Sequence, residues 1–233
     1  MIDNLQKPYQ VLRYLKLRYP CSGATERRRS NAPGSTLTQV GRVDMMRTSL
    51  SHPLLIAELP VGALGGAIGV TFAPGKYQEV AMTGAWARDL DTDVSAIHRW
   101  GAKHLISLLE PWEFEDLRIE TLPVVAAGKG ISWHGLPITD GAAPDDRLLQ
   151  GWLQLSAELV ADMLSGQRVV VHCKGGLGRA GTVAAMLLLQ AGEAKKASDA
   201  VHIVRHARPA AIETIAQEEF LEHWARRLHP GEV

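Results

Sequence analysis

Val169-Val170-Val171-His172-Cys173-Lys174-Gly175-Gly176-Leu177-Gly178-Arg179-Ala180-Gly181-Thr182 decides the fold of this 233-residue chain. The three valines, short and apolar, read as a buried strand, a glycine-rich turn follows, and Val183 to Leu189, apolar on every side, reads as a buried helix. Strand, glycine loop and helix in that order make an anion site. The glycines let successive backbone N–H groups turn inward, and the helix adds its unpaired amides and positive dipole end. A cysteine held in such a place is favoured as the thiolate, because charge and amide donors stabilise the ionised form, and so it becomes a nucleophile. Arg179, six residues on, brings a planar fork that takes two oxygens of one phosphoryl group. The bland alternatives are an inert buried thiol at a strand end and a surface arginine at a helix start.

Working outward, apolar runs alternate with helical patterns from about residue 54, the mark of βαβ units. His104 to Leu109 reads as a second buried strand. Helices are expected over Asp91 to Trp100, Asp145 to Leu164, about Ala194 to His206, and Thr214 to Leu228. The second of these has Leu149, Trp152, Leu153, Val160, Met163 and Leu164 as its apolar face. The expected class is α/β, a central and mainly parallel sheet flanked by helices. Five acids between Glu110 and Glu120 read as solvated surface, and the His202 and His206 pair as a solvated helix face.

Composition sets outer bounds. Lys plus Arg equals Asp plus Glu at 25 each, so no net field draws the molecule toward nucleic acid or an anionic membrane. Leu54 to Val70 is broken by Glu58 and Pro60 and fails as a membrane span, and no apolar signal core is read at the start of the chain. Cys21 and Cys173 are too few for a disulfide framework, which points to a reducing, cytoplasmic setting. The balance hides an asymmetry: residues 1–47 hold nine Lys or Arg against three acids, and residues 48–233 hold sixteen against twenty-two. With Arg27-Arg28-Arg29 and a Ser/Asn/Pro/Gly/Thr stretch over residues 30–38, the first part reads as a poorly ordered basic tail and residues 48–233 as one domain. The tail is either a stretch ahead of a translation start at Met45 or Met46, or an arm for an acidic partner.

Cysteine, five residues, then arginine resembles the signature loop of the cysteine-dependent protein tyrosine and dual-specificity phosphatases, and His172-Cys173 through Gly181 matches its extended form. Leu136-Pro137-Ile138-Thr139-Asp140-Gly141 is similar to the general-acid loop of the branch holding the kinase-associated phosphatase, as is Thr214-Ile215-Ala216-Gln217 near the other end. The resemblance covers about residues 50–228. It implies a phosphatase fold without metal or cofactor, acting on a phosphorylated protein side chain. Cys173 would attack phosphorus, Asp140 would protonate the leaving oxygen and then activate water, and Arg179 with the loop from Lys174 through Gly175, Gly176, Leu177 and Gly178 would hold the phosphoryl oxygens. His172 would orient the loop and Gln217 the water.

Alternatives stay open at this level. Thr139-Asp140-Gly141 is also a good turn, and Asp145 or Asp146 could be the acid or merely cap the following helix. Related loops place Ser or Thr directly after the arginine, where Ala180 stands here, and Thr182 lies about 200° round the helix from it. That departure implies slow breakdown of the phosphocysteine, and it keeps a second function in view: a binding module that captures phosphorylated partners without turnover. Gly176 to Gly181 also spells G-x-G-x-x-G, a dinucleotide fingerprint, yet only 52 residues follow for the rest of such a domain. Lys174 is the one basic residue inside the loop, which argues against polyphosphorylated lipid.

Overall fold

The three valines lie in β7 (Arg168–Cys173), the central strand of a five-stranded sheet. The computed structural model describes residues 46–81 and 84–230. Cys21 and nearly all of the basic tail lie outside them. Ahead of β7 run β1 (Ala57–Val61), β2 (Gly66–Phe72), β3 (Tyr77–Gln78), β4 (Trp86–Ala87), α1 (Leu90–Arg99), β5 (Ala102–Ser107), α2 (Pro111–Asp116), α3 (Leu122–Gly128), β6 (Ser132–Gly135) and α4 (Asp146–Leu164). After it come α5 (Gly178–Ala191), α6 (Ala197–Ala207) and α7 (Ile215–Leu228). The sheet order is β1-β2-β7-β5-β6, antiparallel only between β1 and β2. This is the α/β architecture expected from the alternation of patterns. Among the described residues no strand follows β7.

Side chains on a strand alternate between faces, and β7 uses both. Val169 and Val171 pack into the core formed with α4, α5, α6 and α7, while Val170 joins the core beneath α1 and α3. A strand buried on both sides has no polar face to show, which is why the valine run is unbroken. Helix α5 is buried from Gly178 to Leu189 and ends on Gly192 in the left-handed conformation. Helix α1 starts on Asp89, whose carboxylate accepts from Thr92 N–H at 2.7 Å, and buries Val94 and Ile97.

Helix α4 keeps its expected length but not its expected face. Leu148, Trp152, Ser156, Leu159 and Met163 are buried, whereas Leu153 and Leu164 are 61% and 44% exposed. Steps of three and four run through Leu148, and a fully apolar stretch at Leu148-Leu149 leaves periodicity alone one residue ambiguous. Leu54 to Val70 folds as the antiparallel β1·β2 pair, turned at Gly62 and Gly65, both at positive φ. No helix of the described residues is long and apolar enough to cross a membrane.

Candidate active site

β7 ends on Cys173, and the chain then wraps into a loop that α5 closes. Gly176 makes the loop possible. Its φ is +68°, and a Cβ there would lie 2.4 Å from the Thr71 carbonyl carbon and 2.5 Å from the Phe72 nitrogen, so the loop lies flush on the end of β2. Cys173 is 3% exposed, and its sulfur accepts the Gly176 N–H at 3.2 Å. Lys174 and Leu177 are partly exposed, Gly175 is exposed and Gly178 is buried.

Arg179 turns back into the same hollow. Glu113 grips it from α2 through two contacts, 2.5 Å to Nη1 and 2.9 Å to Nη2, and Nη1 also donates to the Leu108 and Ile138 carbonyls. Both side chains are 1% exposed. Burial works against the guanidinium charge, but the Glu113 bonds and the nearby Cys173 and Asp140 hold its pKa above the usual arginine range. One donor is left over: Nε is buried and has no hydrogen-bond partner. Glu113 corrects the reading of residues 110–120 as solvated surface. It is wholly buried, and its second bond, from the Glu110 N–H at 2.9 Å, closes the capping box that starts α2.

Asp140 lies on a turn with Gly141 and is 67% exposed, with Oδ1 2.9 Å from Arg179 Nη2. Its loop is pinned from both sides. Thr139 donates to Glu110, Arg147 donates to Glu110 and Thr139, Thr214 donates to the Gly141 carbonyl, and Gln217 Nε2 donates to the Ala142 carbonyl at 3.1 Å. Asp145 is the N-cap of α4, and Asp146 opens its first turn. Burial is the largest single influence on Asp145 and opposes its charge, yet the Arg147 bonds and charge together outweigh it and hold its carboxyl below the usual range. Gln217 is wholly buried. Its Oε1 accepts the Glu213 N–H at 2.9 Å and the Thr214 N–H at 3.4 Å, the latter closing the capping box of α7.

His172 is wholly buried, with Nε2 2.5 Å from Ser107 Oγ, itself the acceptor of the Trp133 indole N–H at 2.7 Å. Burial pushes its pKa down to about 3, so the ring is neutral. Ala180 is buried with no hydroxyl to offer, and Thr182 donates to the Gly178 carbonyl at 2.8 Å, the i−4 bond common for threonine in helices.

Two residues that the sequence reading did not single out fasten the loop from outside, and a third, Lys76, lies near it. Arg208 donates to the Gly176 and Gly175 carbonyls at 3.0 and 3.3 Å, and Glu213 accepts the Gly178 N–H at 2.8 Å. Lys76, on the turn after β2, is 6% exposed, so Lys174 is not the only cation beside the pocket. His202 and His206 lie exposed on α6. A separate group, His104 with Glu158 and Asp162, joins β5 to α4, and there Asp162 already bonds both Lys103 and His104 at 2.8 Å.

The chain is similar to known proteins. A family model described as the dual-specificity and protein tyrosine phosphatase domain of the Swiss Army Knife type matches residues 81–221, more than half of the chain. Cyclin-dependent kinase inhibitor 3 of Sus scrofa is 28% identical over 180 residues, 76% of this chain and 81% of that one. Protein tyrosine phosphatase PRL-1 of Leishmania major is 30% identical over 151 residues, 61% of this chain and 78% of that one. Among solved structures, kinase-associated phosphatase with its catalytic-site cysteine replaced by serine superposes with a TM-score of 0.65 at 25% identity, covering 76% of this chain and 96% of that one.

Proposed function

The chain belongs to the dual-specificity and protein tyrosine phosphatase family, and from that premise we propose that it hydrolyses phosphate monoesters on protein side chains through a phosphocysteine intermediate. The observation that carries the reading is the pairing of Cys173 Sγ with the unpartnered, buried Nε–H of Arg179 at opposite ends of one glycine loop. A buried donor without an acceptor is costly, and a phosphoryl oxygen satisfies it.

An incoming phosphoryl group takes Arg179 Nε and Nη2, freeing Asp140 from Nη2 to take up a proton from solvent and turn to the leaving group. Cys173 Sγ attacks phosphorus in line. The P–O ester bond breaks, and the Asp140 carboxyl gives its proton to the departing oxygen. In the second step water attacks the phosphocysteine, Asp140 accepts its proton, and the P–S bond breaks to release inorganic phosphate and the thiolate. The equatorial oxygens stay on Arg179 and the loop amides throughout, where their charge is matched without reorganisation. His172, neutral and bonded to Ser107, orients the loop and takes no proton. Gln217 acts by holding the acid loop at Ala142. Asp145 is committed to the α4 cap and to Arg147, so this reading assigns the acid to Asp140, beside Arg179.

Hydrolysis of p-nitrophenyl phosphate by the full chain, abolished in Cys173→Ser and reduced in Asp140→Ala, is the expected result. No turnover by the wild type overturns it. Ala180 and the tied-off Thr182 favour one second reading, a phosphate-capturing module: a single burst of product with no subsequent turnover would establish it.

A further inference from the structure

Neighbouring residues on a strand face opposite sides of the sheet, yet Lys103 and His104 of β5 both reach one carboxylate. Asp162 Oδ2, on α4, lies 2.8 Å from Lys103 Nζ and 2.8 Å from His104 Nε2. A register shift between Ala102 and His104 in the β5·β7 ladder makes this possible, since a bulge re-aims the side chain beside it. Glu158 stands one helical turn before Asp162, so the two carboxylates share a face of α4. One ligand atom each from His104, Glu158 and Asp162 lie within 4.8 Å of one another. The imidazole is fixed on its other side as well: His104 is 1% exposed, and its Nδ1 is 3.1 Å from His134 Nε2 on β6. A ring so held turns Nε2 toward the carboxylates and anchors Nδ1 on a neighbour, the arrangement that metal-ligating histidines use. None of these groups takes part in the chemistry at Cys173. They sit toward the start of β5, and Ser107 at its end is the residue that meets His172.

We propose that His104, Glu158 and Asp162 form a site for a divalent transition-metal ion, Zn2+ by its chemistry, with water completing the shell. Two carboxylates balance the charge of the ion, and the imidazole nitrogen selects against Mg2+ and Ca2+, which take oxygen ligands. Bonds of about 2.0–2.2 Å put ligand atoms about 3.4 Å apart around a tetrahedral ion, so the set closes by at most about 1.4 Å. Glu158 is exposed and its carboxylate turns into place, whereas His104 is already aimed. Protons balance without release. The His104 Nε2 lone pair goes to the ion, the ring proton sits on Nδ1 and is donated to His134 Nε2, and His134 keeps its own on Nδ1. Lys103, whose side chain is 44% exposed, gives up Asp162 and turns to solvent. The ion clamps β5, and through His134 the edge strand β6, onto α4, so its role is structural.

The test uses the full chain carrying Cys21→Ser and Cys173→Ser, so that neither thiol takes metal, and reads Zn2+ by calorimetry and Co2+ by its d–d absorption. One ion per chain is expected, with a higher thermal midpoint at saturation. His104→Gln should abolish binding. Glu158→Gln, an exposed substitution that does not disturb the core, should weaken it by about tenfold or more. His134→Phe removes the acceptor for Nδ1–H and should weaken it by about 10–100-fold. His202→Gln with His206→Gln, which takes away the exposed pair on α6, should leave binding unchanged. No binding at millimolar Co2+, an affinity unchanged in Glu158→Gln, or loss of binding with the α6 pair overturns the site. Displacement of Zn2+ by equimolar Mg2+ overturns its assignment to a transition metal.

Discussion

Replacing Glu113 by glutamine removes one charge from a pair that is otherwise sealed from water. Both side chains are 1% exposed, and the carboxylate makes two contacts to Arg179, at 2.5 and 2.9 Å, besides accepting the Glu110 N–H. Stripping one partner from a buried pair leaves the other charge uncompensated, a loss of about 3–5 kcal/mol. Asp140 stays 2.9 Å from Nη2 and supplies part of the missing charge, so the lower end, ~3 kcal/mol, is expected. Against a typical domain stability of about 5–15 kcal/mol that is a large fraction. With a urea slope of about 2 kcal/mol/M the midpoint should fall by ~1.5 M. Converting both members, as Glu113→Leu with Arg179→Met, removes the charge and its counter-charge together, and it should bring stability back to within about 1 kcal/mol of wild type while activity stays absent. Urea unfolding followed by tryptophan fluorescence, paired with p-nitrophenyl phosphate kinetics, reads both quantities. A midpoint for Glu113→Gln within 0.3 M of wild type, roughly 0.6 kcal/mol at that slope, would refute the claim that this pair is what sets the arginine in place.

Four further outcomes follow from the same geometry. Asp140→Ala should lower kcat by about 10²–10⁴-fold on an alkyl phosphate and by much less on p-nitrophenyl phosphate, whose leaving group needs little protonation; equal losses on both would move the proton donor elsewhere. Gly176→Ala forces a Cβ to within 2.4 Å of backbone at φ +68°, so it should destabilise by more than about 1 kcal/mol and reduce kcat/KM at least tenfold, checked by thermal melts and steady-state kinetics. Rapid-quench traces of the wild type should show a burst followed by slow turnover, and Ala180→Ser should shrink the burst and raise kcat. His172 protonates near 6.5 in the unfolded chain but only near 3 in the fold. The unfolded state therefore binds the extra proton between those values, and stability should drop by about 1.4 kcal/mol per pH unit as pH falls through that window; urea midpoints of His172→Asn across pH 4–7 should show a shallower slope.

The loop was readable from sequence because its signals are local and cumulative. Valines, glycines and an apolar helix sit within twenty residues of one another, and each constrains the same few atoms. Asp140 entered through likeness to a known loop; that Asp145 is the cap bonded to Arg147 N–H is a point that a sequence carries only as a choice among nearby acids. The partners of the loop were not readable. Glu113, Arg208 and Glu213 reach it from segments 32 to 66 residues away, on the scale of about a whole helix-and-strand unit or more. Local pattern gave only one hint, the Glu110-Pro111-Trp112-Glu113 start of a helix behind a strand, which says that Glu113 caps but not that it also holds an arginine. The misassigned face of α4 has the same origin: Leu148 and Leu149 are equally apolar, and only packing under Trp152 chooses between them.

The order of the sheet has a bearing on how the molecule is made. β7 is the last strand to be synthesised and the middle one in space, so β1 and β2 stay separated from β5 and β6 until residue 173 leaves the ribosome. Even then the loop hangs unfastened, since Arg208 and Glu213 arrive some thirty-five to forty residues later. A nascent chain therefore exposes two half-sheets with raw edges until β7 emerges, and then closes them in one cooperative event. A ribosome stalled before residue 208 would hold a thiol in a loop that neither Arg208 nor Glu213 yet ties down.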